Sequence, residues 1–182
     1  MLPAMNKEQF WELIAAARDR AITPHDSAAV AREATALLAA RPAEEIVAAE
    51  QVLWDLMVES YTNRLWAAAY IANGGCSDDG FDYFRGWLIA QGREVFERVV
   101  ADPDALASLP TVQAAAAAGT DLEGEDMLVI AWNAHITAIG DQLPPDAPTI
   151  RYPQLDPVWY FDFSDSDEMA RRLPRLAALY LE

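Results

Sequence analysis

The sequence predicts an all-α protein: a mostly helical bundle with a Pro-rich extended C-terminal arm that leaves room for one short strand or hairpin. Three observations predict it. Apolar residues recur at intervals of three and four through most of the first 140 positions, as one buried face of a helix requires. Asn, Ser or Asp precedes several of these runs and glycine ends several, as helix caps do. Prolines at 144, 145, 148, 153 and 157 then rule out regular helix. The expected organisation is a helical domain over 1–140, with a Pro-rich arm and short C-terminal helix over 141–182 packed on it. A chain of 182 residues that is 53% hydrophobic can bury a sizeable core.

At the N-terminal end, Asn6 and Gln9 form a capping box, with Met5 and Phe10 as its hydrophobic staple. Phe10, Leu13, Ile14 and Ala17 then face the core, and Thr23-Pro24 marks the exit. A second helix runs from Asp26 or Ser27 to Ala40 on a stripe of Val30, Ala34, Leu37 and Leu38. Pro42 fits the first turn of a third helix, and Glu44 and Glu45 suit the positive end of its dipole. That helix carries Ile46, Leu53, Trp54, Met57 and Tyr61, and Thr62-Asn63 is its point of interruption. Leu65, Trp66, Ala69 and Tyr70 continue the pattern to Asn73, where Gly74-Gly75 ends it.

The next helix starts near Ser77–Asp79 and buries Phe81, Phe84, Trp87 and Leu88. Gly86 weakens it and Gly92 breaks it before a further turn or two with Val95, Phe96, Val99 and Val100. Pro103 to Leu109 reads as a short helix closed by Pro110. Residues 111–124 stay open, because alanine favours helix while Gly119 and Gly124 limit it. Helix resumes near Glu125 on a stripe of Leu128, Ala131, Trp132 and Ile136, and Gly140 stops it. In the arm, Trp159, Phe161 and Phe163 alternate with Tyr160 and Asp162, the pattern of a short strand. A last short helix, Asp167–Leu173, is broken by Pro174, with Leu176, Leu179 and Leu181 as anchors.

Charge bounds the partners. Thirteen basic residues against 29 acidic ones leave a net charge of −16, which repels phosphate backbones and disfavours nucleic-acid binding by a basic face. The acidity reads first as a solvated surface, and otherwise as a match for a basic protein partner or as nucleic-acid mimicry. No stretch reaches 18 uninterrupted apolar residues, so no membrane span is expected. The start of the chain lacks a basic region followed by a long apolar run. The single cysteine, Cys76, fits a reducing compartment, and the expected location is cytoplasmic.

One segment concentrates polar chemistry: Asn73-Gly74-Gly75-Cys76-Ser77-Asp78-Asp79-Gly80-Phe81-Asp82-Tyr83-Phe84-Arg85-Gly86-Trp87-Leu88, continuing Ile89-Ala90-Gln91-Gly92. This string resembles the hallmark of the bacterial domain of unknown function 4240 family. Phe10-Trp11 and the run Leu65-Trp66-Ala67-Ala68-Ala69-Tyr70 resemble it too. The resemblance covers about residues 5–135 and excludes the Pro-rich region after Gly140. It implies no activity, because that family carries no assigned biochemical role.

The residues of the string admit four readings. Asp78 and Asp82 are four apart, and Asp82 and Arg85 three apart, so all three share one helix face. The leading reading is a helix cap plus a salt bridge, with Ser77, Asp78 or Asp79 as the cap. The carboxylates of Asp78, Asp79 and Asp82 could instead hold a hard cation such as Mg²⁺ or Ca²⁺, although the spacing departs from the D-x-D-x-D-G plan. Cys76, just before a helix start, could act as a nucleophile if His25 or His135 approached it, although the adjacent acids oppose a thiolate. Trp66, Tyr70, Tyr83, Trp87 and Trp132 are many aromatics for one bundle; they read first as core and otherwise as the lining of a cleft.

No phosphate-binding glycine loop, G-x-S-x-G, H-E-x-x-H or paired C-x-x-C occurs. The sequence therefore points to a small intracellular binding or interaction domain without catalysis, its partner a protein or small molecule. The candidate binding face is Asp78, Asp79, Asp82, Arg85 and Cys76. No metal and no cofactor is expected. The alternative is an enzyme of unknown class working from the acidic helix start around Asp78, Asp82 and Arg85.

Overall fold

A computed structural model describes residues 4–181. Among the described residues the chain forms ten α-helices and three short 3-10 turns, and no strand. The helices are α1 (Lys7–Arg20), α2 (Ser27–Ala39), α3 (Ala43–Glu59), α4 (Asn63–Ala72), α5 (Asp78–Ala90), α6 (Arg93–Ala101), α7 (Pro110–Ala118), α8 (Ile130–Ile139), α9 (Ser166–Arg172) and α10 (Pro174–Tyr180). The 3-10 turns are Pro103–Ser108, Glu125–Val129 and Pro157–Trp159. The protein is all-α, as the periodicity predicts. No helix is long and apolar enough among the described residues to cross a membrane.

Local chemistry explains most of the boundaries. Asn6 and Gln9 form the reciprocal capping box, and Met5 and Phe10 are both buried beside it. Asp26 caps α2 through the Ala28 N–H. Pro42 sits one position earlier than expected, as the N-cap of α3, with Glu44 and Glu45 in the first turn. The interruption at Thr62-Asn63 is a full break: the Thr62 hydroxyl accepts from the Leu65 N–H and starts α4 anew. Gly92, at φ 94°, separates α5 from α6.

Three expectations in the second half are corrected. Pro110 and Pro174 do not merely close the preceding turns; each opens a helix, α7 and α10, from its first turn. The stripe expected around residue 130 is rotated. Met127, Ile130, Ala131 and Ala134 are buried, whereas Trp132 and Ile136 are 37% and 42% exposed. The 3-10 turn at Glu125–Val129 advances the chain at a different angle per residue and shifts the phase of α8. Trp159, Phe161 and Phe163 form no strand. Asp156 caps a 3-10 turn at Val158, and the Asp162 carboxylate accepts from the Ser164 N–H, so the backbone turns at both ends of the aromatic run.

One hydrophobic core joins these elements. α1 packs on α2, α8 packs on both α2 and α3, and α5 packs on the Glu125–Val129 turn. Phe10, Ile14, Leu38, Leu53, Phe84 and Phe96 are fully buried within it. Trp159, Met169, Leu173 and Leu176 of the C-terminal region belong to the same cluster, while Leu181 is exposed. Asp104 ties that region down by capping α10 across the fold, accepting from the Arg175 N–H at 3.1 Å and the Leu176 N–H at 2.9 Å.

A buried carboxylate on α3 has a consequence for stability. The Trp54 indole N–H donates to one Glu50 oxygen at 3.0 Å, and the second oxygen is buried without a partner among the described residues. Burial pushes the Glu50 carboxyl above its ordinary value. A raised folded-state value means the native protein favours the protonated form. The penalty therefore accrues as pH rises from the ordinary glutamate range through the folded value, and is complete above it. Glu50→Gln is expected to stabilise at pH 7 by about 1 kcal/mol. In thermal melts the gain should shrink to nothing near pH 4; a gain of equal size at both pH values would contradict this account.

Candidate functional site

The string from Asn73 to Trp87 is built as a lock between α4, α5 and the segment that leads into the Glu125–Val129 turn. The Asn73 side chain pairs with the Leu122 backbone, donating to its carbonyl at 3.3 Å and accepting its N–H at 2.8 Å. Gly74 and Gly75, at φ 63° and 130°, then close α4. The Gly75 N–H donates to the Tyr70 carbonyl at 2.9 Å and the Gly74 N–H to Ile71 at 3.4 Å, the paired bonds of a Schellman ending. The Ser77 hydroxyl accepts from the Gly80 N–H and starts α5. Further along α5, Gly86 lies so close to Gly124 that a Cβ there would stand 2.4 Å from the Gly124 carbonyl oxygen. The Gly124 N–H donates to the Tyr83 carbonyl at 2.8 Å in the same contact.

The five candidate residues do not converge on one surface. Arg85 points inward and is fully buried. Its guanidinium donates to the carbonyls of Met57 and Phe81 and to the Asp82 carboxylate, and lies over the rings of Phe81 and Tyr61 at 4.4 and 5.1 Å. Arg85 thus links α5 to the end of α3. Asp82 is partly exposed, and its carboxyl is pushed upward by burial, with Arg85 pulling the other way. Asp78 and Asp79 sit in the exposed first turn of α5, in favourable positions for its dipole. Among the described residues, no three His, Cys, Asp or Glu side chains are grouped to hold a metal ion.

Cys76 is half-buried, and its surroundings oppose a thiolate. Burial, and after it the nearby Glu123 carboxylate, pushes its thiol up to about 12. Neither histidine lines the cleft that Cys76 lines. The His135 ring is buried against the Asp141 carbonyl, with Nδ1 at 2.8 Å, and His25 borders a separate cavity of about 390 Å³ with Asp121 and Glu123. Iodoacetamide at pH 8 is expected to alkylate native Cys76 at least about tenfold more slowly than free cysteine. A rate matching free cysteine would show that the thiol is neither buried nor pushed up.

A cleft of about 300 Å³ opens beside this segment, between α4 and the aromatic run of the C-terminal region. Trp66 and Tyr70 form one wall, and Trp159, Tyr160, Phe161 and Phe163 the other. Phe81 stacks behind Trp66 at 4.8 Å, and the Trp66 indole N–H donates to the Cys76 carbonyl at 2.9 Å. Of Trp66, Tyr70, Tyr83, Trp87 and Trp132, the five that the sequence offers as a cleft lining, Trp66 and Tyr70 line this cleft and Trp87 borders the other cavity. Asn63, 3% exposed, stands at the cleft edge and donates to the Asp156 carbonyl at 2.7 Å. In the sequence Asn63 reads only as part of a helix interruption.

The family model described as "Protein of unknown function (DUF4240)" matches residues 5–136. The chain belongs to this family. The matched DUF4240 span contains the entire lock, from Asn73 through Gly124, and one wall of the aromatic cleft. The other wall lies outside it. No curated protein and no solved structure matches the chain.

Proposed function

We propose that the chain is a small binding domain without catalysis, and that the aromatic cleft receives an apolar side chain of a basic polypeptide partner. The observation that carries this reading is the composition of the cleft: six of its nine lining residues are aromatic, and its thiol is held protonated. Such a wall supplies contact area and orientation and no nucleophile or base. The net charge of −16 speeds encounter with a partner of opposite sign by long-range attraction, while at the cleft itself Arg64 lies over the Trp159 ring and Arg172 over those of Trp159 and Phe161. A lone cysteine suits a reducing, cytoplasmic setting for such a domain. The alternative, an enzyme working from Asp78, Asp82 and Arg85, would require Arg85 to leave the core.

Three labelled peptides of about ten residues test the reading by fluorescence anisotropy: lysine-rich with a central Trp-Leu, lysine-rich with Ser-Ser instead, and glutamate-rich with Trp-Leu. The first is expected to bind about tenfold more tightly than the Ser-Ser peptide, the worth of one buried apolar side chain, and more tightly than the glutamate-rich one, which the acidic protein repels. Tyr160, which lines the cleft and is 65% exposed, is the residue to change; Tyr160→Ser should weaken that binding without lowering the melting temperature. Equal binding of both lysine-rich peptides would reduce the interaction to charge alone and overturn the cleft as its site.

A further inference from the structure

Residues 144–158 cross the α3–α4 face between two buried anchors, Leu143 and Trp159. None of the residues 149–154 is buried. From Pro148 to Leu155 no backbone group of this strap bonds to another backbone group among the described residues. Side-chain amides of the helices hold it instead. Gln51 on α3 accepts the Thr149 N–H at 2.7 Å and donates to the Thr149 carbonyl at 3.0 Å. The Gln51 amide also donates to the Asp55 carboxylate at 2.8 Å, which fixes its orientation. Asn63, at the start of α4, donates to the Asp156 carbonyl. Between these two grips the Tyr152 ring lies 4.6 Å from the Tyr61 ring, itself packed against the buried Arg85.

A glutamine that satisfies both the N–H and the C=O of one residue does what a neighbouring β-strand would do, and reads main chain rather than side chain. The grip at Thr149 therefore places no demand on residue identity beyond a free N–H. Tyr152 is the one side chain between the two grips for which the face provides an aromatic partner. The gripping residues Gln51, Asn63, Tyr61 and Arg85 all lie within the family-matched span, and the strap lies outside it. The face is thus built by one part of the chain and occupied by another.

We propose that the α3–α4 face is a docking groove for an extended polypeptide, gripped through its main chain by Gln51 and Asn63 and through one tyrosine by Tyr61. Residues 147–156 occupy it in cis. A partner segment would carry a tyrosine three residues after the position that Gln51 pairs, and a carbonyl four further on for Asn63. This rests on the binding function proposed above for the polypeptide nature of the partner, and adds where and in what register it lies. A tethered strap competes at an effective concentration of about a millimolar, so a partner enters when the strap is loosened.

The full-length double variant Thr149→Pro/Tyr152→Ala loosens the strap, removing the N–H that Gln51 accepts and the stacked ring. The probe is a labelled synthetic peptide of residues 146–158, titrated by anisotropy. It should bind the loosened chain at least about tenfold more tightly than wild type. Adding Gln51→Ala to the loosened chain should abolish that gain, as should Tyr152→Ala within the peptide. Equal binding to wild type and loosened chain, or binding indifferent to Gln51→Ala, overturns the proposal. Amide exchange of Thr149 gives a second readout on a chain with an intact strap. Its protection should be lost in Gln51→Ala while that of α3 is kept, and retained protection overturns the proposal equally. The strap peptide is not basic, so its failure leaves the cleft reading standing; failure of the lysine-rich peptides while the strap peptide still binds the loosened chain removes the cleft and keeps the polypeptide groove.

Discussion

Gly124→Ala is expected to destabilise the protein by about 3 kcal/mol, the upper part of the range for forced overpacking. A Cβ at Gly124 would stand 2.6 Å from the Trp87 nitrogen and 2.8 Å from its Cα. These are backbone atoms of α5, so no side-chain rotation relieves the contact. Gly86→Ala meets the same contact from the other side, against the Gly124 carbonyl. For a chain of this size the loss corresponds to a fall of about 6–12 °C in melting temperature. Thermal unfolding monitored by circular dichroism measures it. A loss under about 1 kcal/mol in both variants would mean that α5 and the 124 segment do not touch as described.

The second large effect concerns the Arg85–Asp82 pair. Removing the carboxylate leaves a buried guanidinium without its one carboxylate partner, held by the carbonyls of Met57 and Phe81. Breaking a buried pair in this way costs about 3–5 kcal/mol, and Asp82→Ala should fall at or below the low end because Asp82 is partly exposed. Removing both charges with apolar groups of similar length, Arg85→Met with Asp82→Leu, should recover most of that loss. The double-mutant cycle of Asp82→Leu and Arg85→Met, each made singly and then together, therefore reads a positive coupling. If Asp82→Ala instead stabilised the protein, the carboxylate would be held there at a cost to folding, as functional residues are. That outcome would favour Asp82 as a functional residue.

These two contacts also mark where the sequence becomes hard to read. The caps at Asn6, Asp26 and Ser77 and the ending at Gly74-Gly75 are legible because each is settled within a few residues of chain. Helical spacing likewise puts Asp78, Asp82 and Arg85 on one side of α5, but it does not say which way that side faces. From Phe84 onward α5 is buried all round, so Arg85 ends in the core beside Met57, a residue from another helix. Gly86 reads locally as a weak point in a helix, and its reason appears only when Gly124 is brought against it across the fold.

Proline is ambiguous for a related reason. Pro110 and Pro174 each end one turn and begin the next helix, and only the second role depends on the residues C-terminal to the proline. The alternating aromatics at 159–163 have the spacing of a strand but no neighbouring strand to pair with among the described residues, and local caps turn them instead. The same turns bring four rings into one cleft wall. Gln51 carries no signal at all, since a glutamine on a half-buried helix face is ordinary until an extended segment lies against it.

In the reading proposed above, the polar string on α5 has a structural role and recognition lies at the aromatic cleft beside it. Heteronuclear NMR of the full-length chain, titrated with the lysine-rich Trp-Leu peptide, tests this division of roles most directly. The indole N–H signals of Trp66 and Trp159 and the backbone of Tyr160 are expected to shift together and saturate, with Arg85 and Gly86 unmoved. Shifts centred on Asp78, Asp79, Asp82 and Arg85, with both indoles unmoved, would contradict it and make the start of α5 the site.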